Sequence, residues 1–197
     1  MKRVILTMLL LLSFSNAASI EKQSCTLEQK GEFRVVAEGY KTAFRAGVSI
    51  FFRKFEHIEF PKNSKSIAEF LTGSSVVIDS KTLDTKNPLM YDNLVNFFFK
   101  NLVKNKISAK IVEVKADNNF KGVLTLEIDM NGVTKSVKMR YYSKGLSIYA
   151  NGEIDLLDFK ADKALEIFSK KCSNEHLGKT WSDVGISFEI PTQRVCK

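Results

Sequence analysis

The sequence predicts an all-β fold with short helices, arranged as one closed antiparallel barrel or a sandwich of about eight strands. Three observations support this prediction: a hairpin pattern within residues 122–139, the same apolar alternation along most of the chain, and the lack of repeats or linkers rich in Pro and Gly. The polar positions of the alternation are often charged, so one face of the sheet is wet, which is typical of antiparallel sheets.

The hairpin is the clearest local signal in the chain. Apolar residues stand at alternate positions before Asn131-Gly132, a pair that tolerates the positive φ angles of a tight turn, and they resume after it. These apolar residues are Leu124, Leu126, Ile128, Met130, Val133, Val137 and Met139. The pattern predicts two paired strands that share one apolar face.

The remaining elements follow from the spacing of apolar residues. Alternation at every second position predicts strands over residues 33–37, 48–52, 76–78, 107–111, 146–150 and 184–190. Helical spacing predicts a short turn after the capping box Ser66–Glu69 and helices over 92–103 and 158–172. The last of these has an apolar stripe, formed by Ala161, Ala164, Leu165, Phe168 and Cys172.

The first residues have the composition of an export signal. Lys2-Arg3 precede an apolar run over residues 4–12 that is too short to span a bilayer, and small residues follow at Ser15 and Ala17. We therefore expect residues 1–17 to be a cleaved signal peptide and residues 18–197 to form one exported domain.

The charge of the expected mature chain is moderately basic. Removing Lys2 and Arg3 leaves 28 of the 30 basic residues against 22 acidic ones, a net charge of +6. The basic residues are scattered singly, without the dense blocks and interleaved aromatics of a nucleic-acid site, so we expect no nucleic-acid partner. A weak attraction to anionic lipid headgroups is compatible with this charge.

The three cysteines favour one disulfide and one spare thiol in an oxidising compartment. If the first and last strands close a barrel antiparallel, the start of one lies beside the end of the other. That arrangement favours a bridge between Cys25 and Cys196, with Cys172 either free or an alternative partner.

The sequence offers few residues for catalysis. His57 lies in an alternating, highly charged segment that indicates an exposed strand. Cys172 and His176 are four positions apart, which suits a metal pair or a thiol nucleophile, but no second Cys/His pair accompanies them. Glycine loops for phosphates or dinucleotides and the Gly-x-Ser-x-Gly motif are absent from the sequence. We expect no enzymatic activity, no cofactor and no metal.

Several segments occur in the order of a known family pattern. They are SKTLDT at 80–85, YDNL at 91–94 with FFF at 97–99, GVLTL at 122–126 with NGVTKSV at 131–137, GEID at 152–155 with DF at 158–159, and GKTWSDV at 178–184. Together they resemble the YceI-like family of exported bacterial lipid- or polyisoprenoid-binding proteins, as a divergent member. Tyr91 and Leu157 stand where many members have Arg, and the first strand lacks the usual His.

The resemblance implies a lipocalin-like closed antiparallel barrel of about eight strands, located in the periplasm. Its interior would accept a long apolar molecule such as an isoprenoid, a quinone or a fatty acid derivative. Removing each methylene from water contributes about 0.8 kcal/mol, so a long tail needs no specific polar contact. We therefore predict a periplasmic carrier, with transient contact with a membrane surface and a homodimer as further expectations.

The residues expected to bind the ligand are the apolar side chains that the strand alternation and the second helical segment turn inward. They are Phe33, Val35, Val48, Ile50, Phe52, Phe98, Leu124, Leu126, Val137, Met139, Ile148, Ile186 and Phe188. The alternative is an exported stress protein or protein-interaction module whose barrel has a solid core and holds no lipid.

Overall fold

The computed structural model describes residues 24–196, and its dominant element is one antiparallel sheet. The predicted signal peptide lies outside the described residues. The strands are β1 Cys25–Gln29, β2 Arg34–Lys41, β3 Ala46–Phe52, β4 His57–Glu59, β5 Ser75–Asp79, β6 Leu83–Asp84, β7 Lys106–Asn118, β8 Lys121–Met130, β9 Val133–Lys144, β10 Ser147–Asp155 and β11 Thr180–Cys196.

The mostly β, antiparallel fold is confirmed, but the closed barrel of eight strands is not. Ten strands follow one another in the order β4-β5-β7-β8-β9-β10-β11-β2-β3-β6, and β1 pairs separately with the end of β11. The sheet curls into a half-barrel with β4 and β6 at its two ends. These end strands have three and two residues, so neither offers a ladder long enough to join the other edge.

The hairpin predicted from residues 122–139 is confirmed. Strands β8 and β9 pair from Lys121↔Tyr142 to Met130↔Val133, and both turn residues, Asn131 and Gly132, have positive φ. Burial alternates strictly along β8, where the apolar positions point into the core and the polar positions do not.

Helical segments cover the inner face of the half-barrel. They are α1 Ile67–Leu71, α2 Pro88–Asn93 and α3 Asp162–Lys171, with a π turn Leu94–Phe98 and a 3₁₀ turn Phe99–Asn101 continuing α2. One half of the predicted capping box is present, since Ser66 Oγ accepts a hydrogen bond from the Glu69 N–H at 3.1 Å, while the Glu69 carboxylate accepts from the Lys65 N–H at 2.8 Å. Among the described residues, no helix is both long and apolar enough to cross a membrane.

Two helix boundaries differ from the sequence prediction. The second helix begins at Pro88 because the Asn87 side chain caps the Met90 N–H and Pro suits the first helical position. The third begins at Asp162 because residues 156–159 form a 3₁₀ turn that ends at Lys160 in the left-handed conformation.

A disulfide joins Cys25 to Cys196, which are register partners in the pairing of β1 with β11. Cys172 is the free cysteine of the described chain and is buried. The bridge ties the first described strand to the last one across a sequence separation of 171 residues.

Candidate functional site: an apolar cavity with one polar end

A cavity of about 330 Å³ lies between the inner face of the half-barrel and the helical segments. Strands β2, β3, β5, β7, β8 and β11 form most of its sheet side, to which β9 adds Met139 and β10 adds Ile154, and residues of the α2 segment and α3 form its helical side. Its lining is overwhelmingly apolar, and its size falls within the range of about 300–1,000 Å³ that small-molecule sites occupy.

The strand register explains which side chains form the wall. Val184, Ile186 and Phe188 of β11 stand opposite Gly39, Ala37 and Val35 of β2, and these in turn stand opposite Val48, Ile50 and Phe52 of β3. Paired positions of an antiparallel sheet point to the same face, so these nine residues form one continuous surface. All nine line the cavity.

Ten of the thirteen residues predicted to contact a ligand line this cavity. They are Phe33, Val35, Val48, Ile50, Phe52, Phe98, Leu126, Met139, Ile186 and Phe188. The other three, Leu124, Val137 and Ile148, share the inner face but lie outside the lining. Leu124 and Ile148 are almost completely covered by neighbouring side chains, and Val137 packs against the core.

The π turn after α2 shapes the helical side of the cavity. The Phe99 N–H bonds to the Leu94 carbonyl, five residues back, which turns both side chains toward the same side of the helix. Leu94, Phe98 and Phe99 therefore line the cavity together with Asn93, the residue that precedes the π turn. Leu165 and Phe168 of α3 complete this side.

One end of the cavity is closed by aromatic rings. Phe33 lies 4.9 Å from Phe55, 5.8 Å from Phe60 and 6.4 Å from Phe188, measured between ring centroids. Phe60 stacks on the fully buried ring of Phe70. The contacts at this end are mainly apolar, with Ser74 and Ser75 as its polar side chains, and the Ser74 hydroxyl is engaged with the Phe70 carbonyl.

The opposite end of the cavity carries the polar side chains. Lys41 continues the inward alternation of β2, and its register partner is Thr180 at the start of β11. His176 Nδ1 and Thr180 Oγ1 are hydrogen-bonded at 2.7 Å. Asn93, Cys172, Glu175 and Trp181 complete this group, and the Trp181 Nε1–H donates to the Thr42 carbonyl at 2.8 Å.

Burial controls the ionisation of the two titratable groups deepest in this end. It raises the pKa of the Cys172 thiol, and the nearby Glu175 carboxylate raises it further. Burial also lowers the pKa of the His176 imidazole, and the positive charge of Lys41 adds to that effect. Both groups are therefore held in their uncharged forms.

Most residues of the polar end were not predicted from the sequence. Extending the alternation of Val35 and Ala37 along β2 would have placed Lys41 inside. Nothing in the sequence indicated that Asn93 lies in the site, because apolar spacing does not predict the π turn that follows it. Tyr91 and Leu157, where the chain departs from the family pattern, lie outside the lining.

The structure does not bring the other candidate residues into a catalytic arrangement. His57 is exposed on the end strand β4, near Glu59. Cys172 and His176 share the polar end but stand in one turn, linked by a bond from the His176 N–H to the Cys172 carbonyl. Within residues 24–196, no group of three or more His, Cys, Asp and Glu side chains is placed to hold a metal ion.

Comparison with protein families gives one match, which covers most of the chain. A family model described as the YceI-like domain matches residues 22–191. Among curated proteins, no sequence matches.

Solved structures with the same fold come from several bacteria. A polyisoprenoid-binding domain from Saccharophagus degradans is 10% identical, with a TM-score of 0.58 over 87% of this chain and 98% of that one. BcnA of Burkholderia cenocepacia is 15% identical, with a TM-score of 0.56 over 80% and 94%. A Campylobacter jejuni YceI protein is 21% identical, with a TM-score of 0.53 over 77% and 86%. At these identities the likeness extends to the fold alone.

Proposed function

The chain belongs to the YceI-like domain family, and on that premise we propose that it is an exported binding protein that carries a long apolar amphiphile in its half-barrel. The ligand class is an isoprenoid, a quinone or a fatty acid derivative. One solved structure of the same fold, at 10% identity, is a polyisoprenoid-binding domain, which is compatible with this class.

The observation that carries the proposal is the apolar cavity of about 330 Å³. A wall built from inward strand positions removes an alkyl or isoprenoid chain from water at about 0.8 kcal/mol per methylene. The tail would lie along the surface shared by β2, β3 and β11, toward the aromatic rings at the closed end. Shape and length would then select the tail.

The same cavity argues against the alternative of a stress or interaction module with a solid core. In a filled core the inner residues of every strand would be fully buried, as Leu124 and Ile148 are. The inner residues of β2 and most of those of β11 are only half-buried. Their exposed surface faces the cavity and is available to a ligand.

Export to the periplasm is part of the proposal. The Cys25–Cys196 bridge supports it, because disulfides persist in oxidising compartments and are rare in the cytosol. The composition of residues 1–17 agrees with it.

The proposed role is binding and not catalysis. A nucleophilic or metal-binding cysteine acts as the thiolate, and burial opposes that form at Cys172 by raising its pKa. The thiol instead packs in the apolar stripe of α3, beside Phe168 and the cavity.

We extend the proposal to transient contact with a membrane surface at the polar end. Phe44, at the β2–β3 turn, is 91% exposed, and Leu177, just before β11, is 77% exposed. The two loops are joined by a bond from the Thr42 N–H to the Lys179 carbonyl, at 2.9 Å. Two exposed apolar side chains and the Lys179 ammonium at the cavity mouth suit an anionic lipid surface.

The direct test is to identify what the protein carries. The protein is purified from its own host, analysed by native mass spectrometry and then extracted with organic solvent. We expect an apolar compound whose mass equals the difference between the native and the denatured protein. The same spectrum gives the subunit count and so tests the expected homodimer.

A cavity-filling variant provides the matched comparison. A Cβ at Gly39 would meet no atom within 4 Å, and the residue lines the cavity with ordinary backbone angles. Gly39→Leu should therefore fill the cavity and abolish lipid recovery, while Ser49→Leu on the exposed outer face of β3 should not. Recovery of no apolar compound from the unmodified protein, together with unchanged Trp181 fluorescence on adding long-chain lipids, would reject the carrier.

A further inference from the structure

We propose that the polar end of the cavity is a head-group site for an uncharged hydrogen-bonding group, such as the hydroxyl of an isoprenoid alcohol, and that it discriminates against phosphate esters. This inference rests on the proposed carrier function and names the class of amphiphile. It is built on Asn93, His176 and Thr180, with Lys41 and Glu175 at the mouth.

Asn93 is the central residue of this site. Its exposed fraction is 6%, and it lies at the end of α2, where the π turn directs the following residues into the cavity. Among the described residues, the side-chain atom that is fully buried without a hydrogen-bond partner is Ser80 Oγ, so the Asn93 amide is not sealed off but borders the open volume of the cavity. Its neighbour on the protein side is the weakly polar Cys172 thiol. A ligand hydroxyl can therefore form a hydrogen bond with this amide in place of water.

His176 and Thr180 supply the second half of the site. Their 2.7 Å hydrogen bond uses Nδ1 of the ring, which leaves Nε2 free to meet a ligand. The edge of the ring packs against Phe168, with centroids 5.5 Å apart, and this contact holds the imidazole at the cavity wall. Because the ring is neutral, the pair offers a donor and an acceptor without adding charge.

The balance of charge excludes a phosphate. The charged side chains of the lining are Lys41 and Glu175, one of each sign, and Glu175 is exposed at the mouth. Three further basic side chains stand at the rim, outside the lining. The ammonium groups of Lys171 and Lys179 stand over the rings of Phe97 and Trp181, and the Arg45 guanidinium stands over Tyr40 and Trp181 but is paired with Asp183 at 2.8 Å. Inside the cavity a phosphate would therefore meet one ammonium group and one repelling carboxylate, without an unpaired guanidinium in the lining to bind it in a bidentate way.

The test compares ligands that share one tail and differ in the head. A long isoprenoid alcohol, its monophosphate and diphosphate esters and the hydrocarbon with the same chain compete with a lipophilic fluorescent probe. Trp181 is the single tryptophan of the chain and lines the polar end, so its fluorescence reports occupancy there. We expect the alcohol to bind about three- to tenfold more tightly than the hydrocarbon, as one satisfied hydrogen bond provides. The diphosphate should bind at least about tenfold more weakly than the alcohol.

A pair of variants locates the effect. Asn93→Leu keeps the size of the side chain and should remove the advantage of the alcohol over the hydrocarbon, so that the two bind equally well. Asn151→Leu, at an exposed position of β10, should keep the full preference. Displacement of the probe by the hydrocarbon in Asn93→Leu also shows that the variant is folded.

Each other outcome has a definite meaning. If the alcohol has no advantage over the hydrocarbon, or if a phosphate ester binds as tightly as the alcohol, the head-group site is rejected while the carrier stands. A preference that survives Asn93→Leu rejects the assigned residues. If even the hydrocarbon fails to displace the probe, both the carrier and the head-group site fail. The comparison on the unmodified chain remains decisive if Asn93→Leu does not fold.

Discussion

The two halves of the curled sheet have the same alternation but opposite interiors. In the packed half, formed by β8, β9 and β10, Leu124 and Ile148 are 0% and 1% exposed. In the cavity half, formed by β2, β3 and β11, inner residues such as Val35 and Ile186 remain half-buried. The packed half is a solid core that only borders the cavity, through Leu126, Ile128, Met130, Met139 and Ile154, and the cavity half is the wall of a container.

Glycines show how the two interiors differ. In the packed half, a Cβ on Gly152 would stand 2.8 Å from Met139 Cγ, and one on Gly122 would overlap the Lys115 carbonyl and the ring of Tyr141. These glycines allow large neighbours to close over the sheet. In the cavity half, a Cβ on Gly39 would meet nothing within 4 Å. Glycine therefore permits close packing in one half and leaves open volume in the other.

The largest expected difference between the halves is in the free energy of unfolding after a matched truncation. Ile148→Ala should lower it by about 2–5 kcal/mol, because a fully covered side chain leaves a new cavity. Ile186→Ala should lower it by less than about 2 kcal/mol, because this side chain already borders open volume. Equal losses in urea unfolding would show that both halves are equally packed.

The period-two pattern could be predicted because it depends only on neighbours in sequence. It identified the inner face, which is why ten of the thirteen expected residues line the cavity. The pattern could not distinguish Leu124 and Ile148, which are covered by other side chains, from Ile186, which lines the cavity. The segments that cover an inner residue from across the half-barrel are distant in sequence, so the local pattern does not contain them. The open edge was unpredictable for a similar reason, since β4 and β6 are too short to carry a pattern.

The second prediction uses Cys172 as a chemical reporter of the cavity half. It is the free cysteine of the described chain and it lines the cavity. A ligand at one hundred times its dissociation constant should slow alkylation of this thiol about a hundredfold, because only the empty form exposes it to the reagent. The measurement is the labelling rate by mass spectrometry, with Gly39→Leu as the permanently filled control. Equal rates with and without ligand would mean that the thiol is reached by another route.

The third prediction compares a glycine-to-alanine substitution in each of the two halves. Gly152→Ala should destabilise the protein by about 1–3 kcal/mol, since Met139 must move out of a packed position. Gly39→Ala should be neutral or stabilising by up to about 1 kcal/mol, because its backbone angles suit alanine and the space is empty. Thermal unfolding of both variants checks the sign, and a loss at Gly39 as large as that at Gly152 would contradict an open cavity.

The smallest effect concerns pH and again belongs to the cavity half. Because the pKa of folded His176 is lowered from 6.5, the folded state favours the neutral ring, with Lys41 and Glu175 as its charged neighbours. Its contribution to stability is therefore present above pH 6.5 and is lost as the pH falls through the folded pKa.

His176→Gln should lose less stability than the unmodified chain between about pH 8 and about pH 5. His57→Gln, which changes the exposed histidine of β4, serves as the comparison variant. A ligand that covers the neutral ring should deepen the loss for the unmodified chain, because a protonated His176 would have to share the cavity with an apolar tail. If His57→Gln and His176→Gln behave alike, the ring is solvated and the polar end is open to water.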